Sequence, residues 1–239
     1  MDLGKSTLGR LISGLMKPTK GHVIIDNLIT SKKDNFFDIR NKIGVVFQNP
    51  ENQLVFNNIK DELTFCLNNL KKDNIKQRIE QSLNLVGMLD YINKSTYELS
   101  LGQKQKIAIA SALSIKPKYI VFDEPTTMLD SKGKQDVYNI IKQLKNEGYT
   151  IIYITNMADE ILLSDRIIII DNGKIAKQIN RKEILKSINI LKQYEVKIPT
   201  IIDLILELKQ QGIDINVEEF EAKQIAQKLL EVIMRKKNS

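Results

Sequence analysis

The chain contains one cysteine, Cys66, one histidine, His22, no tryptophan and no long uncharged apolar run. A single cysteine excludes an intramolecular disulfide, and a cysteine nucleophile lacks a partner because His22 lies on a β-like stretch. The apolar segment Ile167 to Ile170 is closed by Arg166 and Asp171, far short of the roughly 20 residues that a spanning helix needs. No leader peptide is readable. Charge is not concentrated either: the net +7 is spread as Lys among Glu, Asp and Asn, which reads as solvated surface, so no nucleic-acid partner is expected. Arg235-Lys236-Lys237 is the one basic cluster and reads as a solvated tail. What remains is an ordinary globular composition of 239 residues, 42% hydrophobic and 27% charged, enough for one sizeable core with smaller appendages.

The periodicity alternates between two patterns. Ser6 to Leu15 reads as a helix after a loop, His22 to Asp26 and Ile43 to Phe47 as strands, and Asn57 to about Ala112 as helical, with apolar residues recurring every three or four positions. Tyr119 to Phe122 and Thr150 to Ile154 are short, β-branched-rich runs around a helix-patterned stretch from Lys134 to Glu147, as in a parallel sheet buried on both faces. Arg166 to Ile170 is a further strand with a turn at Asp171 to Lys174. Beyond Asn180 come short amphipathic helices around Ile184-Leu185, Ile201 to Leu208 and Ile225 to Ile233. The expected architecture is an α/β core with a helical lobe over about 55–115 within residues 1–180, followed by a small helical domain over 181–239.

Four stretches carry chemistry. Gly4-Lys5-Ser6-Thr7 opens a helix, where backbone N–H groups and the helix terminus suit phosphate and a side chain at the glycine would block close approach. Asp123 and Glu124 end an apolar strand, at the edge where α/β sheets bind ligands. Ser100 precedes a helix it can cap, in Leu99-Ser100-Leu101-Gly102-Gln103. Gln48 ends the strand Ile43 to Phe47. Taken singly, these read equally as a solvated turn, a helix start at Asp-Glu-Pro125, a cap and a surface glutamine; the order and spacing together argue against coincidence.

These stretches resemble the nucleotide-binding subunits of ABC transporters. The run Gly44 to Leu54, Glu98 to Lys106 and the C-terminal segment around Ile198-Pro199-Thr200 are similar to the energy-coupling-factor and cobalt-type ATPases in particular. The resemblance implies a P-loop NTPase core binding ATP and Mg²⁺. Lys5 would then neutralise phosphate charge, Thr7 would lie near the α-phosphate, and Ser6, Gln48 and Asp123 would hold the metal. Glu124 would polarise the attacking water, and Ser100 to Gln103 would meet the ATP held by a second subunit, itself a copy or a paralogue. Asp130, in Met128-Leu129-Asp130, resembles the dimer-contact loop. A transmembrane coupling protein and a substrate-binding membrane protein would complete the assembly at the cytoplasmic face of the membrane. Its work would be ATP-driven uptake of a vitamin or metal ion.

Three departures qualify that picture. Met1 falls inside the expected phosphate loop and Asp2 stands where its second glycine belongs, so the cassette is expected to be incomplete at its N-terminus. Leu101 replaces the first glycine of the signature, and either holds the two subunits apart or is absorbed by helical geometry. Asn156 stands at the switch position, where the family's histidine contacts the γ-phosphate; an amide keeps one hydrogen bond and bears no positive charge. Weak hydrolysis in the chain's own site is therefore expected. A non-hydrolytic partner subunit, or the product of a decayed or mis-started gene, is the alternative to a transport ATPase.

Overall fold

The computed structural model describes residues 4–213, 215, 220 and 222–237. It divides into two compact units, Met1–Ile154 and Thr155–Ser239. In the first, helix α1 (Lys5–Ile12) precedes a hairpin of β1 (Ile24–Ile25) and β2 (Leu28–Ile29), helix α2 (Phe36–Lys42) and strand β3 (Ile43–Val46). Helices α3 (Ile59–Asn69), α4 (Ile75–Leu85) and α5 (Leu101–Ser114) follow, then β4 (Tyr119–Asp123), α6 (Ser131–Asn146) and β5 (Thr150–Ile154). Strands β3, β4 and β5 form a parallel sheet with β4 central, Val46 beside Phe122 and Asp123 beside Ile154.

The two faces of β4 explain the layout. Ile120 and Phe122 are fully buried in a core shared with Leu63 and Leu67 of α3, Ile79 and Leu83 of α4, Ile107 of α5 and Val137 of α6. Each such side chain contributes about 1.5–3 kcal/mol by leaving water. Val121 points the other way, into a second cluster with Ile39, Ile43 and Ile154. α1 lies over this second face: Gly9 sits so near the sheet that a Cβ there would come within 2.6 Å of Ile154 Cδ1. Asp123 is two residues beyond Val121, hence on the same face as α1.

Local chemistry sets the element ends. Asn58 caps α3 by accepting from the Lys60 and Asp61 N–H groups at 2.9 and 3.3 Å. The strand expected over His22 to Asp26 is reduced to Ile24–Ile25, because Asp26 and Asn27 take φ of 46° and 69° and turn the chain back into β2. The helix expected to reach Leu15 ends at Ile12, with Gly14 at φ 69° shortly after. Asp26 then ties the hairpin to the sheet. Its Oδ1 accepts from Lys118 Nζ at 2.8 Å and Tyr119 Oη at 2.7 Å, and its Oδ2 from Lys42 Nζ at 3.1 Å. Lys118, then Tyr119 and Lys42, hold this carboxyl well below the usual carboxylate range.

The second unit contains an antiparallel pair, β6 (Arg166–Asp171) and β7 (Lys174–Asn180), turned at Asn172-Gly173, both at positive φ. Helices α7 (Ile188–Gln193), α8 (Thr200–Gln210) and α9 (Ala222–Lys237) follow. Ile167, Ile169, Ile179, Ile184, Leu191 and Ile202 form its core. The N-terminus of α8 is fastened by Asp159, whose Oδ1 accepts from Thr200 N at 2.7 Å.

Candidate functional site

Gly4 is the N-cap of α1 at φ 88°, a left-handed conformation that an L side chain adopts at a cost, and a Cβ there would meet nothing within 4 Å. The conformation, and open space before the first turn, are what the glycine provides. No side chain caps α1 among the described residues, which leaves its first turn suited to an anion. Lys5 and Ser6 are half-buried there and Thr7 is exposed. Asp2 lies outside the described residues.

The packing of α1 on β4 brings Ser6 to Asp123: Ser6 Oγ donates to Asp123 Oδ1 at 2.8 Å. Asp123 is 8% exposed, at the C-terminal end of the sheet. Glu124 follows at φ 50°, its N–H donating to Ile154 C=O at 3.0 Å. A non-glycine residue held left-handed costs on the order of 1 kcal/mol and is a feature of functional turns. Because Val46 pairs with Phe122, Gln48 and Glu124 each stand two residues beyond paired positions, and Gln48 Nε2 reaches Glu124 Oε2 at a long 3.5 Å. Thr127 Oγ1 donates to the same oxygen at 3.2 Å. The structure thus gathers Ser6, Asp123, Glu124 and Gln48.

The donor set fits a magnesium nucleotide. Ser6 and Asp123 offer hard oxygens on adjacent side chains, and Mg²⁺ is held by one or two carboxylates plus phosphates rather than an all-protein cage. Among the described residues no group of three or more His, Cys, Asp or Glu side chains gathers as a cage would require.

A second group forms elsewhere in the same unit. Ser100 caps α5 in a reciprocal box: its Oγ accepts from Gln103 N at 3.3 Å and Gln103 Oε1 accepts from Ser100 N at 2.9 Å. Leu101 occupies the first helical position and packs, half-buried, against the main core. Of the two readings left open for Leu101, this packing favours absorption by the helix. Gly102 faces α6, and a Cβ there would make an ordinary contact with Gly133 Cα at 3.7 Å. Asp130 caps α6, accepting from Gly133 N at 2.8 Å. Ser100 to Gln103, Leu129, Asp130 and Lys132 line a shared concavity of about 400 Å³.

Asn156 belongs to the second unit, exposed, two residues after β5 ends. Cys66 is half-buried on α3, and burial pushes its thiol up; His22 is exposed outside β1. The sequence reading missed Thr127, for which the three-residue spacing from Glu124 was a signal. It also missed Gln53 and Gln105, whose partners are backbone groups that no pattern reveals.

Residues 3–127 match the ABC transporter family. The energy-coupling factor transporter ATP-binding protein EcfA1 of Caldanaerobacter subterraneus subsp. tengcongensis is 40% identical over 215 residues, 89% of this chain and 78% of that protein. The protein of that name from Clostridium perfringens is also 40% identical, over 218 residues, 90% of this chain and 78% of its own length. Among solved structures, cbiO1 of Clostridium perfringens, described as part of the ABC transporter complex cbiONQ, superposes with a TM-score of 0.70 at 31% identity, covering 85% of this chain and 83% of that one. The ATP-binding cassette MJ0796, as a dimer in a post-hydrolysis state bound to ADP and Pi, gives 0.67 at 30% identity over 75% of this chain and 81% of its own. With the Ser6–Asp123 pair, the capped signature helix and these likenesses together, the chain belongs to the ABC transporter family, among the ATP-binding subunits of energy-coupling factor transporters.

Proposed function

We propose that the chain binds MgATP at Ser6 and Asp123, pairs with a second cassette, a copy or a paralogue, and docks on a membrane-embedded partner at the cytoplasmic face to drive uptake of a vitamin or metal ion. The observation that carries this reading is the 2.8 Å contact of Ser6 with Asp123, next to the pinned carboxylate of Glu124. Lys5 and the first turn of α1 bind and orient the phosphates. Ser6, Asp123 and Gln48 would hold Mg²⁺, which when bound would offset phosphate charge in an in-line displacement. Glu124 orients the attacking water and accepts its proton as the nucleophile forms. Ser100 to Gln103, with the positive end of α5, meet the nucleotide of the opposite subunit. Asn156 favours a second reading, a subunit whose own site hydrolyses slowly while it lends its signature helix to a partner.

No helix among the described residues is long and apolar enough to cross a membrane, so membrane attachment would run through protein contacts. A groove of about 610 Å³ supports this: it is lined by Leu15, Phe36, Phe37, Val55 and Phe65, with Phe36 54% and Val55 76% exposed. A contiguous patch of exposed apolar side chains is the mark of an interaction surface. The test is to purify the tagged chain from membranes and identify equimolar subunits by mass spectrometry. A second cassette and a multi-span protein are expected, with Val55→Asp releasing the multi-span protein at unchanged melting temperature. A chain that elutes alone, or retains its partners in Val55→Asp, contradicts the docking assignment.

A further inference from the structure

The loop from Phe47 to Leu54 is fastened to α5. Gln105, fully buried, donates through Nε2 to the Phe47 carbonyl at 3.1 Å. Gln53 places its amide between strand and helix: Oε1 accepts from Phe47 N at 3.2 Å, and Nε2 donates to the carbonyls of Val45 and Ala108 at 3.2 and 3.3 Å. Lys104 closes the set with an ion pair to Glu51. Residues 104 and 108 are one turn apart on the same side of α5, so these contacts form one seam. Beneath it, β3 lies so close that a Cβ on Gly44 would come within 2.9 Å of the Ala112 carbonyl oxygen.

Stability alone does not account for Gln105. Its Oε1 is buried and finds no partner among the described residues, an arrangement costlier than an apolar residue of similar volume. What the amide adds is its bond to the loop that carries Gln48.

We infer that Gln105, Gln53 and the Lys104–Glu51 pair make the Gln48 loop and the first turns of α5 one rigid piece, linking the Ser100–Gln103 face to the Gln48–Glu124 contact. The inference rests on the proposed function, in which that face meets the other cassette's nucleotide. A displacement of the signature face then moves Gln48 against Glu124, and binding in one composite site biases the other, reciprocally. Gln105 and Gln53 are positioning residues that act through Gln48.

The test uses the chain co-purified with its cassette partner. In Gln105→Leu and Gln53→Leu, amides of residues 47–54 are expected to exchange hydrogen about tenfold faster or more, with α4 unchanged. With the partner's catalytic Glu→Gln change in place, so that turnover reports this chain's own site, ATP turnover is expected to fall several-fold in Gln48→Ala and in Gln105→Leu, and the double variant no further than the larger single loss. Should Gln105→Leu fail to fold, Lys104→Met replaces it. Unchanged loop exchange, or losses that multiply, overturns the inference. A wild-type complex without ATP turnover refutes the proposed function instead, and the exchange measurement alone then decides the rigid piece.

Discussion

Ser6 and Asp123, 117 positions apart, meet through a 2.8 Å hydrogen bond because α1 and the central strand share one face of the sheet. Gly9 permits that approach and Val121 lies under it. The pair places a helix N-terminus, a hydroxyl and a shielded carboxylate at one point, so the phosphate end and the metal end of a nucleotide are addressed together.

Leu101→Gly should destabilise the chain by about 1–2 kcal/mol in urea denaturation, since it removes a side chain packed on the core and adds backbone entropy at the helix start. If the leucine instead holds subunits apart, the variant will keep its stability and tighten ATP-dependent association.

In a complex with an intact paralogue, the partner's catalytic Glu→Gln change should abolish most ATP turnover while Glu124→Gln costs much less. The proposed second reading assigns slow hydrolysis to this chain's own site, because an amide stands at the switch position, and a lost transition-state contact costs roughly ten- to a thousandfold. Asn156→His should accordingly raise turnover. Equal losses from the two Glu→Gln changes would mean equivalent or strictly coupled sites.

Asp26→Asn tests the latch under the hairpin. Its folded-state carboxyl is depressed chiefly by Lys118, so the stabilisation is present above the unfolded value of about 4 and is lost as pH falls below it. Asparagine tolerates the positive φ, so the change isolates the charge. Urea midpoints should differ at pH 7 and converge as the pH drops below about 4; a gap independent of pH would assign the effect to something other than ionisation.

The elements with strong periodicity were legible from sequence. β5 spans Thr150–Ile154 as its β-branched run indicates, and α5 begins where Ser100 predicts a cap. The site was legible as residues but not as contacts. Nothing in Gly-Lys-Ser indicates which oxygen Ser6 will meet, because that depends on the packing of α1 against β4. The shortened first hairpin escaped the pattern because Asp26 and Asn27 take left-handed conformations inside an apparently continuous strand. Leu101 required the structure as well, since only the fold shows that it sits in helical backbone beside a core neighbour.

The central claim is a magnesium-dependent ATP site built on Ser6 and Asp123. Photolabelling of the co-purified complex with an azido-ATP, read subunit by subunit with and without Mg²⁺, measures it directly. Label should appear on this chain, depend on Mg²⁺, and fall about tenfold in Ser6→Ala and Asp123→Asn, in line with the loss of a hydrogen bond to a charged group. Label absent from this chain, or equal in the wild type and both variants, would contradict the account.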